Sequence, residues 1–178
     1  MNTAKTFQNF RDNNTLFCGP GIVRTHSGNY IDVFHPEPEM FLKEDIAEGI
    51  AYCYRWRGQT KFGSKITVAE HSMNVAWRAN NHNDFIAGLF HDASEGILAD
   101  VPSPIKADMK LYKEIEARVM FAIALRFGFS WPLSLAVKRH DAIELHLEFD
   151  DCMLNDNYKA LSPEAAKAAW LTAVNSIL

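Results

Sequence analysis

Residues 67–100 read TVAEHSMNVAWRANNHNDFIAGLFHDASEGILAD, and this stretch decides the fold. Thr67 has the chemistry of a helix N-cap, and Glu70, three residues on, completes the pattern of a capping box. The spacing predicts a helix from there through His71 and Trp77 to about Asn80. A short helix is expected from Asp84 to Phe90, with His91-Asp92 at its end. Upstream, Ile46, Ile50 and Cys53 share one face of a helix that begins near Lys43. Before it, Ile22–Thr25 and Tyr30–Phe34 flank a Ser27-Gly28-Asn29 turn and read as a small hairpin ended by Pro36 and Pro38.

Downstream, Pro102 and Pro104 mark a loop. Lys110 to Phe127 is an amphipathic helix with Leu111, Ile115, Val119 and Ala122 expected inward, stopped by Gly128. Pro132 is read as the first turn of another long helix reaching about Leu154. Ser162 is an N-cap followed by Pro163 at the first helical position, and the last helix is expected to run to the C-terminus. Residues 1–20 read as an irregular segment ending at Cys18-Gly19-Pro20-Gly21. Five or six helices and one N-terminal β-hairpin make a mostly α, single-domain chain spanning 1–178.

Composition sets outer bounds. The chain has 178 residues, 48% of them hydrophobic, long enough for a core that buries roughly 70% of the unfolded surface. Its formal net charge of −4 argues against a nucleic-acid polymer as partner, which would call for a basic face. The longest apolar run, Val119 to Leu125, is far short of the ~20 residues of a membrane span. The polar N-terminus lacks the apolar segment of a signal peptide. Cys18, Cys53 and Cys152 are an odd set without CxxC spacing, so neither a disulfide scaffold nor a Cys-rich zinc site is expected, and a reducing cytoplasm is. A Trp-containing, apolar C-terminal helix suggests a homo-oligomer.

The chemistry lies in the histidines and the acids near them. His71 falls within an amphipathic helix, His91-Asp92 follows 20 residues later, and Asp141 comes 49 residues after Asp92 in a helix otherwise rich in apolar residues. Two imidazoles and two carboxylates suit one divalent transition metal, Mn, Co, Fe, Ni or Zn, with water in the open positions. Such an ion makes a nucleophile of water near neutral pH.

The spaced set His71…His91-Asp92…Asp141 resembles the H…HD…D signature of the HD-domain metal-dependent phosphohydrolases, over roughly residues 22 to 150. AEHS at 69–72 and HDASE…DVPSP at 91–104 are similar to the bacterial 5′-deoxynucleotidases. The hairpin, the DIAEGIAYCYRW segment and the chain length look more like small phage and prophage HD hydrolases, some of which act on deoxynucleoside triphosphates including dATP. The resemblance implies an HD-type helical bundle in which His71, His91, Asp92 and Asp141 ligate the metal. It makes Glu95 the catalytic acid/base and Asp100 a second catalytic carboxylate near the leaving oxygen. Arg55 and Trp56 resemble the pair that contacts sugar, phosphate and base. Lys106 and Lys138 match positions that hold phosphate oxygens in the triphosphate-cleaving relatives.

His140-Asp141-Ala142-Ile143-Glu144 repeats the pattern of residues 91–95. No acid stands far enough downstream to serve a central pair at 140–141, so that pair is placed at 91–92. The function implied is attack of metal-activated water on the 5′-phosphate of a deoxynucleotide, a small-molecule substrate, as monophosphate or triphosphate. A triphosphate would bring further Mg with it. Lys106 and Lys138 together favour the triphosphate, because its extra charge needs extra cations. The rival readings are an HD hydrolase of cyclic or signalling nucleotides, and a binding module without turnover.

Overall fold

A computed structural model describes residues 19–178, so Cys18 and most of the expected irregular N-terminal segment lie outside the described residues. Strands β1 (Ile22–Arg24) and β2 (Tyr30–Asp32) pair antiparallel with Val23 opposite Ile31. Eight α-helices follow among the described residues. They are α1 (Lys43–Ala51), α2 (Val68–Trp77), α3 (His82–Phe90), α4 (Glu95–Leu98), α5 (Ser103–Lys106), α6 (Lys110–Phe127), α7 (Leu135–Phe149) and α8 (Pro163–Asn175). The fold is mostly α with one small hairpin, as the pattern requires. Among the described residues no helix is long and apolar enough to cross a membrane.

Local chemistry sets most helix ends. Side-chain oxygens of Thr67, Asn81, Ser134 and Ser162 accept backbone N–H groups in the first turns of α2, α3, α7 and α8. Gly128, at φ 76°, closes α6 in the left-handed conformation that a side chain resists. The capping box at α2 is only half formed. Thr67 caps Glu70, but the Glu70 carboxylate turns away to accept from Tyr158 Oη (3.0 Å) and Leu161 N (3.1 Å).

Three expectations are corrected. Leu111 is 62% exposed, because the first turns of α6 project past the core that its second half enters at Val119. Pro132 precedes α7 rather than opening it, since Ser134 supplies the cap. A helical turn, α5, occupies part of the expected proline loop, with Pro104 in a first turn where no N–H is needed. Trp170 is fully buried, donates Nε1–H to Leu89 O (2.9 Å) and meets Phe90 edge-on. It therefore belongs to the core of the chain.

The core gathers around Phe90, which stacks on Phe127 at 4.4 Å between centroids and on Phe129 at 5.8 Å. Full burial of one such ring contributes ~1.5–3 kcal/mol. Helices α2 and α3 cross without room for a side chain at Gly88: a Cβ there would lie 2.7 Å from Ala76 Cα. That close crossing brings the end of α3, with His91, against the first half of α2, with His71.

Candidate metal centre

His71 and His91 are buried, and their Nε2 atoms face each other at 3.2 Å. Each ring is fixed from behind. His91 Nδ1 lies 2.8 Å from Gly88 O, a carbonyl that can only accept, so Nδ1 carries the hydrogen. The turn that lets α3 approach α2 thus also orients the histidine. His71 Nδ1 lies 2.6 Å from Glu148 Oε1, and Arg55 Nε donates to the other Glu148 oxygen at 2.8 Å, which holds that carboxylate as an acceptor. In the neutral rings both Nε2 lone pairs therefore point at one spot. Asp92 Oδ2 stands 3.1 Å from His91 Nε2, and Asp141 Oδ1 stands 3.1 Å from His71 Nε2. The four ligand atoms lie within 4.8 Å of one another.

Four electron-rich atoms so close together need positive charge among them. A proton partly meets the need. Burial alone would depress the His91 pKa, yet Asp92 and Asp141 raise it well above the usual imidazole value. Burial pushes the Asp92 and Asp141 carboxyls up, but the two histidines hold both well below the ordinary carboxylate range. A divalent cation satisfies all four at once. The donor set fits such an ion, and His–carboxylate pairing behind a ligand is a usual way to hold one.

A cleft of about 640 Å³ opens over the cluster, with Asp92 and Asp141 in its wall. Glu95, Asp100, Arg55, Trp56 and Lys106 line it too. Glu95 is buried and its Oε2 has no hydrogen-bond partner. Burial, then the charges of Asp92 and Asp100, lift its pKa to about 9. Without a metal ion nearby it is therefore a neutral acid at pH 7, and its buried Oε2 is unpartnered. Trp56 and Arg57 adopt left-handed backbone conformations (φ 57° and 54°), unusual for residues with side chains. This turn sets the Trp56 ring in the cleft wall, 5.9 Å from Phe149.

Two expectations change here. Lys138 is exposed and does not line the cleft. The cleft face of α7 runs from Asp141 to Leu145, towards the C-terminus, whereas a helical side chain leans towards the N-terminus. Lys138 therefore extends away from the site. Arg55 does line the cleft, but its Nε is committed to Glu148, and its Nη1 stands 3.5 Å from Asp92 Oδ2. His140 stays out of the cluster, and Glu144 of the repeated motif pairs with Arg78, so the central pair is His91-Asp92.

Glu148 went unread in the sequence. The available signal was its place two helical turns after Asp141, an acid on the ligand face between Leu147 and Phe149. Glu148→Gln should weaken metal affinity by roughly 10–100-fold, the cost of losing an outer partner, while helix content is kept. Metal titration beside circular dichroism checks this; unchanged affinity would remove Glu148 from the site.

Fold and site together define a mostly helical protein with a buried His/Asp cluster that could hold a metal ion. No family model matches the chain. It is 38% identical over 136 residues to the uncharacterized protein RCAP_rcc00048 of Rhodobacter capsulatus, covering 70% of this chain and 69% of that one, and it belongs to the same family. It is also 28% identical over 134 residues to the uncharacterized protein YfdR of Escherichia coli K12, covering 75% of this chain and 74% of that one.

Proposed function

We propose that the chain is an HD-type, metal-dependent phosphohydrolase that acts on deoxynucleotides. The observation that carries this is one cleft holding both a four-atom N/O cation site and a buried carboxyl, Glu95, with an unpartnered oxygen. The donor set suits Mn, Co, Fe, Ni or Zn. When bound, the ion acts as a Lewis acid and lowers the pKa of water.

The chain's own groups have separable tasks. His71 and His91 present bare Nε2 atoms because Glu148 and Gly88 take their Nδ1 hydrogens. Glu95 holds or passes a proton at Oε2. Beside a bound divalent cation its pKa would fall from about 9, in the direction that suits an acid/base group. Asp100 adds negative charge beside it and helps keep that proton available. The remaining Arg55 donors suit a phosphate oxygen, and the Trp56 ring supplies a flat wall for a base or sugar.

The cleft's charge favours the monophosphate. Lys138 is absent from it and Lys106 is already paired with Glu116, so two cations on which a triphosphate would depend are missing or neutralised. This reverses the preference drawn from the lysine positions in the sequence. A triphosphate would need added Mg in the cleft. The test is phosphate release from metal-loaded protein against a panel of deoxynucleoside mono- and triphosphates and cyclic nucleotides. Monophosphate turnover that chelation abolishes is expected. Turnover confined to triphosphates or cyclic nucleotides would replace the substrate reading, and metal-dependent nucleotide binding without turnover would make the chain a binding module.

A further inference from the structure

The cleft's lysine is held from outside the cleft. Lys106 lines the cavity, but its Nζ donates to Glu116 Oε1 at 2.7 Å and lies 5.6 Å from the centre of the Tyr112 ring. Neither Glu116 nor Tyr112 lines the cavity. Both stand in the first turns of α6, the part that projects past the core. The same turns fasten the cleft rim at two more points. Tyr112 Oη donates to Ala99 O at 2.7 Å, and Lys113 Nζ donates to Ala107 O at 2.8 Å. Ala99, at φ 72°, is the left-handed residue just before Asp100. The exposed start of α6 is therefore a bracket that fixes residues 99–107, and the Lys106–Glu116 pair is its one ionic contact among the described residues.

That contact involves one of the few cationic side chains lining the cavity. Four carboxyl groups (Asp92, Glu95, Asp100 and Asp141) face three cationic side chains (Arg55, Arg57 and Lys106) across the cavity. Arg55 already faces Glu148, and Lys106 faces Glu116. Both partners of the Lys106–Glu116 pair are only about one-fifth exposed, 20% and 21%, so water screens the pair little.

We propose that Glu116 is a specificity-determining positioning residue. By holding and neutralising Lys106 it restricts the cleft to ligands of low phosphate charge, and its loss opens the cleft to polyphosphates. This rests on the nucleotide reading above. Glu116→Gln keeps an acceptor for the ammonium but returns the charge of Lys106 to the cavity.

The experiment measures binding of a deoxynucleoside monophosphate and the matching triphosphate to manganese-loaded protein by calorimetry. A Glu95→Ala background slows turnover below the time of the titration, and excess magnesium keeps the triphosphate from stripping the manganese. In Glu116→Gln the triphosphate-to-monophosphate affinity ratio should rise about tenfold, and the gain should shrink with added salt. Adding Lys106→Gln should return the ratio to its starting value or below. Metal content and melting temperature verify that each variant is folded. A merely structural role for Glu116 would move both affinities together, so a constant ratio overturns the proposal and leaves the nucleotide reading standing. Failure of both nucleotides to bind any variant, the Glu95→Ala parent included, overturns the nucleotide reading and the proposal with it.

Discussion

Asp92→Ala is expected to lose metal binding and, with it, the proposed hydrolysis. Asp92 Oδ2 is 3.1 Å from His91 Nε2 and 3.8 Å from His71 Nε2, so its removal leaves two neutral imidazoles and the half-exposed Asp141 to hold a dication. Losing a charged ligand should cost more than the ~10–100-fold that an outer partner costs. The variant also takes from the Arg55 guanidinium the carboxylate 3.5 Å from its Nη1 and leaves Glu148 as its partner. Metal analysis after dialysis, paired with turnover, reads the result. A variant that keeps full metal content, or full activity in excess chelator, would end the assignment of these residues as ligands.

Glu95→Ala should separate chemistry from metal binding. Its carboxyl is not among the four converging ligand groups, so the metal should remain while the rate falls roughly 10²–10⁴-fold, the range for a general acid–base group. Loss of metal with activity would make Glu95 a ligand instead. The isosteric Glu95→Gln adds a test without turnover. In metal-free protein the Glu95 pKa rises from 4.5 to about 9 on folding, chiefly by burial. The folded state therefore binds the extra proton between those values, and stability falls as pH rises through that window. Glu95→Gln should flatten that slope in urea titrations across the same range.

Both predictions concern residues that the sequence names, and the reason is their spacing. His91, Asp92 and Glu95 stand within five consecutive positions, where the chain's geometry alone keeps them together. His71 is one helix earlier, and a short turn forces the two helices to neighbour. The same locality made α6 legible to the residue: an 18-residue run, Lys110–Phe127, is stopped by a glycine that takes the left-handed conformation. The caps at Thr67 and Ser162 follow from hydroxyls that reach N–H groups three residues away.

Other features depend on which surfaces meet across long stretches of chain. Glu148 is 77 residues from His71 and 93 from Arg55, and its role exists only once α7 lies on α2. Lys138 sits one turn from a ligand, yet the direction of α7 across the cleft carries it outward. Leu111 belongs to the apolar stripe of α6 but to a part of the helix that the core does not reach, where it stands beside the turns that bracket Lys106. The sequence by itself determined the helical class and most element boundaries, because periodicity, capping and short spacing act within a few residues, and it named the four cluster residues, the distant Asp141 through its match to a spaced signature. Only the tertiary structure decided which carboxylate orients His71, which lysine faces the cleft and what neutralises it. Those outcomes turn on the packing of segments distant in sequence, and no local rule carries the sign of a side chain's direction across such a contact.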